Sequence, residues 1–277
     1  MLRPPYARYE TLHVYHLDHA APAGFDDPDL IGAWEEAGCH VLFFHQNKDT
    51  LVAELCRGLG CSVVYQATLG YNAWECGQAV GRFTVKDLTV APVWDPGPAE
   101  IMLDPSVVFG NGFHPTTRFC LYSLATLVEE AGPFDSALDL GCGSGLLAIA
   151  AARRGCQRVT AVDYNGLACR VAEANVARNG ATGQVSVQQL DLGTACPDAT
   201  GVDLVMANLD SPLLLRLFET PGFWAGRFHI LSGFLADREA ELLAAFPHQD
   251  HLFVDRQRLG RWGAWVIRRR DTAFPRA

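Results

Sequence analysis

LDLGCGSG, Leu138 to Gly145, reads as the end of a buried strand carrying a carboxylate, Asp139, followed by three glycines that turn the chain into the apolar helix SGLLAIAAARRG. Glycine at positions 141, 143 and 145 permits a tight turn and lets a ligand lie against backbone N–H groups at a helix N-terminus. A glycine loop alone is weak evidence for a ligand, because a bare strand-to-helix turn uses the same residues. Its neighbours decide the fold. Downstream come strand RVTAVD, helix LACRVAEANVARNG, strand QVSVQQLD, strand VDLVMANL and helix PLLLRLFET, so strands alternate with helices as in a parallel doubly wound sheet. After RFHILSG and the helix ADREAELLAAF, the segments HLFVDRQRL and WGAWVIRRR meet at Gly260 as an antiparallel hairpin.

The carboxylates are spaced to match. Asp163 closes RVTAVD and Asp191 closes VSVQQLD, so three successive strands each deliver an acid to one rim. An acid after the second strand can accept both ribose hydroxyls, and one after the third can accept an adenine amino proton, which points to an adenosine-containing ligand. A dinucleotide and S-adenosyl-L-methionine compete for that role. The spacing is G-x-G-x-G, and Asp139 stands where it would repel a pyrophosphate but suits a cationic methionine moiety, which favours S-adenosylmethionine. The terminal hairpin agrees, since class I methyltransferases end their sheet with an antiparallel strand.

Upstream, the chain divides. Residues 1–75 read as a small α+β unit: strand YETLHVYHL, helix DLIGAWEEAG, strand CHVLFFHQ, helix DTLVAELCRGLG and strand CSVVYQATL, with Gly38 and Gly60 as helix ends. That gives three strands before Trp74. Residues 76–100 read as an extended connector with one or two strands, and residues 101–277 as the larger domain, beginning after a Pro and Gly cluster at Asp95–Ala99. His13, His16 and His19 read as ordinary strand and loop residues before metal ligands, and the six tryptophans as core or hinge packing.

Composition narrows the function classes. With 277 residues and 49% hydrophobic content the chain can bury a large core, and a net charge of −9 supplies no general attraction for a phosphate backbone, so no direct nucleic-acid partner is expected. Nine cysteines without a CxxC pair read as reduced thiols, and no metal site is expected. No signal peptide and no membrane-length apolar run is legible, so the expectation is a cytoplasmic protein without a membrane partner.

LDPSVVFGNGFHPTT, LDLGCGSGLLAIAA, VDYNGLACRVAEANVARNG, DLVMANL and ILSGFLADREAEL together resemble, in order and spacing, the motifs of the bacterial family that methylates large-subunit ribosomal protein eleven. The likeness covers most of Ile101 to Phe246. It implies a class I methyltransferase domain behind a small substrate-recognition domain, S-adenosylmethionine as cofactor and ribosomal protein amino groups as acceptor. Its cofactor contacts carry over to Thr117, Gly141, Asp163 and Asn208, and Asn208 takes the role of orienting the incoming amine.

FGNGFHPTT then reads as a loop crossing the sheet to close over the methionine end, with Phe109 packing on or shielding the cofactor and Thr117 offering its hydroxyl. For His114 the reading is loop stabilisation, with Thr116 and Thr117 capping the helix. The family commonly has Thr where Asn111 stands, a small or polar residue where Phe113 stands, and Asn-Ile-Leu-Ala where this chain runs Asn208, Leu209, Asp210, Ser211, Pro212. Two other readings remain open here: a noncatalytic cofactor-binding module, and a small-molecule methyltransferase.

Overall fold

The computed structural model describes residues 1–2, 7–19, 25–36, 38–75 and 79–272. Cys76 and the end of the basic tail, residues 273–277, lie outside them. The first sheet contains β1 (Thr11–Leu17), β2 (Leu30–Glu36), β3 (Cys39–Phe44) and, after helix α1 (Asp49–Leu59), β4 (Val63–Gly70), in the order β2-β3-β1-β4. Every neighbouring pair is antiparallel.

The helix expected at DLIGAWEEAG is therefore a strand, and the unit has four strands where three were legible. Two local features explain the difference. A bulge between Leu30 and Gly32 breaks the alternation by which a strand announces itself, and the Ala, Leu and Glu content favours helix until tertiary pairing overrides it. Gly38, read as a helix end, sits at φ 80° in the turn of a hairpin whose closing pair is Glu36 and Cys39. Gly60 does end a helix, at φ 68°, with the Cys61 N–H returning to the Cys56 carbonyl.

A four-residue helix, α2 (Tyr71–Trp74), leads to a small three-stranded sheet of β5 (Phe83–Val85), β6 (Leu88–Pro92) and β7 (Ile101–Leu103). Next come α3 (Pro115–Ala131), β8 (Ser136–Leu140), α4 (Leu146–Arg153), β9 (Arg158–Asp163), α5 (Gly166–Arg178), β10 (Val185–Gln189), β11 (Leu204–Asn208), α6 (Ser211–Phe218), β12 (Phe228–Leu235), α7 (Glu239–Ala245), β13 (His251–Leu259) and β14 (Trp262–Arg269). The large sheet has the order β10-β9-β8-β11-β12-β14-β13. Its first five strands are parallel, and β14 enters antiparallel beside β12 with β13 outside it. The expected α/β architecture, a Rossmann-like class I methyltransferase sheet with a terminal antiparallel hairpin, is thus present.

Two apolar layers fix the sheet. One joins it to α3, α4 and α5 through residues such as Leu124, Ile149, Ala161 and Met206, and the other joins it to α6, α7 and the hairpin through Val205, Leu217, Phe234 and Trp265. A third layer packs Leu12, Val14, Ile31 and Phe43 of the first sheet against Leu167, Ala168 and Val171 of α5. Gly32 lets Leu167 approach closely, since a Cβ there would meet the Leu167 methyl groups. Among the described residues, no helix is long and apolar enough to cross a membrane. Strand order reverses on either side of β8, which opens a crevice at the carboxyl ends of β8, β9 and β11.

Candidate functional site

Three chain segments converge on that crevice. At the end of β8 the chain enters the glycine loop with φ of 76° at Gly141, 52° at Gly143 and 80° at Gly145, a left-handed series that other residues adopt only with strain. Gly143 has a second reason to lack a side chain: a Cβ would overlap the Phe109 carbonyl oxygen. The same carbonyl accepts the Ser144 N–H at 2.9 Å, and the Ser144 hydroxyl donates to the Gly110 carbonyl at 2.7 Å. FGNGFHPTT therefore rides directly on the glycine loop.

A cavity of about 390 Å³ lies over this junction, lined by Phe109, Gly141, Gly143, Asp163, Asp191 and Asn208 among the sequence-predicted residues. Asp163, at the end of β9, accepts the Gly143 N–H and the Asn165 N–H, each at 2.9 Å. Burial pushes its carboxyl above the usual range while these N–H bonds pull it down, so it is a partly desolvated acid held in one orientation. Asp191 lies two residues past β10 and accepts the Gly193 N–H at 2.7 Å. A pair of carboxylates on adjacent strand ends, with Leu192 also lining the cavity, suits the hydroxyls and amino group of an adenosine.

Asn208, the last residue of β11, shows the most informative geometry. Its side-chain amide donates to the Thr117 hydroxyl at 3.3 Å, which ties β11 to the first turn of α3. Its Oδ1 is buried and has no hydrogen-bond partner among the described residues. A buried carbonyl oxygen left unpaired costs about 1–3 kcal/mol, a cost that a donor brought by a ligand would relieve.

The remaining predicted residues stand behind the cavity wall. Thr117 is buried and reaches the site only through Asn208. Gly145 begins α4 against Ala172. Asp139 is 1% exposed beneath the glycine loop, where Oδ2 accepts the Ala148 N–H at 3.0 Å and Oδ1 has no partner among the described residues. Desolvation pushes its carboxyl up to about 7.

Several lining residues went unrecognised in the sequence. His114, and neither threonine, caps α3: its Nδ1 lies 2.6 Å from the Thr116 hydroxyl and accepts the Thr116 N–H. Its ring meets Phe109 at 5.4 Å and Trp262 at 4.8 Å, so the helix cap is also part of the cavity wall. Trp262, read as packing, lines the cavity from the terminal hairpin. No local signal marks it, because only the antiparallel docking of β14 brings it near. Asp210 caps α6 by accepting the Leu213 N–H at 2.9 Å, which gives this departure from the family pattern a structural job.

Comparison with known proteins agrees with this geometry. The family model described as ribosomal protein L11 methyltransferase (PrmA) matches residues 80–270. Curated ribosomal protein L11 methyltransferases from Chloroflexus aurantiacus and Pelotomaculum thermopropionicum are 36% and 38% identical over 227 and 205 residues, covering 72% and 71% of this chain and 68% and 64% of theirs. The chain thus spans about two thirds of the length of the curated relatives it matches. A crystal structure of a ribosomal protein L11 methylase from Lactobacillus delbrueckii subsp. bulgaricus superposes with a TM-score of 0.59 at 28% identity, covering 68% of this chain and 98% of that one. In motif order, in sheet topology and over residues 80–270, this chain belongs to the ribosomal protein L11 methyltransferase (PrmA) family of class I S-adenosylmethionine-dependent methyltransferases.

Proposed function

We propose that this protein transfers methyl groups from S-adenosylmethionine to amino groups of ribosomal protein L11, lysine side chains or the N-terminal amine, in the cytoplasm. The observation that carries the reading is the unpaired, buried Oδ1 of Asn208, a residue that lines the same cavity as Asp163 and the glycine loop. Bound S-adenosylmethionine supplies an activated methyl group, which a neutral amine can accept by displacement of the sulfur. Gly141 and Gly143 offer a side-chain-free floor for its methionine end, Asp163 suits its ribose and Asp191 its adenine, while Phe109, His114 and Trp262 supply an aromatic wall. Asp139 lies beneath this floor, behind the cavity wall, where burial favours its neutral form.

Asn208 orients the acceptor. With its N–H₂ group committed to Thr117, its oxygen accepts one N–H of the incoming amine and aims the nitrogen lone pair at the reacting carbon. A lysine amine has an unperturbed pKa of about 10.4, so the acceptor must shed a proton before attack. The acceptor assignment draws on the relatives above, which are named for ribosomal protein L11, and the location on nine cysteines spaced without a CxxC pair, which read as reduced thiols.

Labelled-methyl transfer to ribosomal protein L11 tests the reading. Asn208→Ala is expected to lower turnover by ~10²-fold or more, with cofactor affinity by calorimetry within about threefold of the parent. Parallel loss of both properties makes Asn208 a structural strand end only. Absence of transfer by the unaltered protein, with cofactor bound, removes the catalytic reading.

A further inference from the structure

Beside the cavity just described lies a second one, of about 440 Å³, with which it shares Phe109, His114, Gly143, Asp163 and Tyr164. Its far wall comes from the first sheet. Trp34 of β2 and Trp74 of α2 stand with ring centroids 6.1 Å apart and planes inclined at 39°, and Glu75 follows Trp74 at the helix end. Phe113 closes the side nearest the loop. The charged lining residues are Glu75 and Asp163, and no Lys or Arg is among the described residues that line it. Arg118 lies over the Phe113 ring at 5.2 Å and donates to the Gly112 carbonyl, but it does not line the cavity. Aromatic faces with two carboxylates and no counter-charge favour a cation.

The hydrogen-bond acceptors narrow that cation further. Acceptors are few: Asp163 and Glu75 each already accept hydrogen bonds, from the Gly143 and Asn165 N–H groups and from the Asn111 amide, and most of the remaining wall is apolar, from Trp34, Trp74, Val107, Val108, Phe113 and Ala168. A primary ammonium taken from water needs three acceptors. A methylated ammonium gives up its donors in proportion to its methyl groups and keeps its charge, which suits rings better than oxygens.

We propose that this second cavity holds a methylated ammonium side chain of the acceptor protein, the product class of the neighbouring transfer site; this rests on the methyltransferase reading above. A side chain finished at the first cavity then has a resting place one step away, formed jointly by the first sheet and the loop that covers the cofactor. Asn111 and Phe113, both departures from the family pattern, belong to this second cavity. Asn111 holds Glu75, and Phe113 supplies a wall.

The test is calorimetry on the full chain saturated with S-adenosylhomocysteine, titrated with Nα-acetyl-Nε-trimethyl-lysine methylamide and, separately, with the unmethylated compound. The trimethylated probe is expected to bind about tenfold more tightly. Glu75→Gln and Trp34→Leu should each weaken it by about three- to tenfold, with Asn208→Ala unchanged and S-adenosylhomocysteine affinity retained in Glu75→Gln as proof of folding. Equal binding of the two probes, tighter binding of the unmethylated one, or a loss in Asn208→Ala without one in Glu75→Gln overturns the assignment. Labelled-methyl transfer by the same preparations separates the two claims. Failure of transfer removes the reaction, whereas active protein with no preference for the methylated probe removes only this cavity's role.

Discussion

At Asp139 burial and charge conflict most directly. The folded carboxyl is pushed up to about 7, whereas in the unfolded chain it titrates at about 3.9. Between these values the folded state keeps a proton that the unfolded state has released, so this residue's contribution to stability is full below about pH 4 and declines as pH rises to 7. Asp139→Asn fixes the neutral form. In denaturant unfolding of the cofactor-free protein, the variant should gain on the order of 2–4 kcal/mol over the parent at pH 8 and nothing at pH 4. Equal stability at both values would mean that Asp139 stays ionised. The comparison must be between the two proteins, because His229 acts in the opposite sense. Its burial lowers its pKa to about 3, so its contribution is lost as pH falls from 6.5 toward 3.

Among the elements, the glycine loop and FGNGFHPTT form one unit, and a pair of glycines tests it. Gly143 and Gly260 both have positive φ, 52° and 65°, but a Cβ at Gly260 meets nothing within 4 Å whereas one at Gly143 overlaps the Phe109 carbonyl. Gly260→Ala should cost only backbone strain, about 1–2 kcal/mol, and keep cofactor binding. Gly143→Ala adds displacement of the covering loop, so it should lose more stability than Gly260→Ala and weaken cofactor binding by about tenfold or more. Thermal unfolding and calorimetry on both variants read this directly, and matching losses would show that loop contact contributes nothing. Legibility at this scale was uneven. The βα turns that position Asp163, Asn208 and the glycines follow from hydrophobic alternation and turn residues. At β2 a bulge removes the alternation, and only pairing with β3 makes it a strand.

Across the whole molecule, a buried polar chain joins Tyr9, just ahead of β1, to the glycine loop that follows β8. The Tyr9 hydroxyl donates to Asp104 at 2.9 Å, the Asp104 N–H donates to Asn175 at 2.9 Å, and the Asn175 amide donates to the Asp104 and Ser144 carbonyls, each at 2.9 Å. Asp104 and Asn175 are fully buried, and the chain ends at the glycine loop. Tyr9→Phe leaves a buried carboxylate oxygen short of a donor and should cost about 1–3 kcal/mol. Because the apolar layer of the first sheet is completed by α5, unfolding should remain a single transition by circular dichroism and tryptophan fluorescence. Two separated transitions would show that the first sheet folds independently of the methyltransferase sheet.

What the sequence determined by itself was everything that local order encodes. Strand and helix alternation sets the doubly wound sheet, the left-handed glycines set the turn after β8, and strand ends carry Asp163 and Asn208 to one rim because a strand's last residue always faces its carboxyl edge. Tertiary structure decided what depends on contacts between distant segments. These include the Thr117 bond that leaves the Asn208 oxygen unpaired, the burial that raises Asp139, the docking of Trp262 beside His114, and the second cavity made by Trp34, Trp74 and Glu75 against Phe113. Periodicity reports which face of an element is buried; what lies across from that face is fixed only when the layers pack.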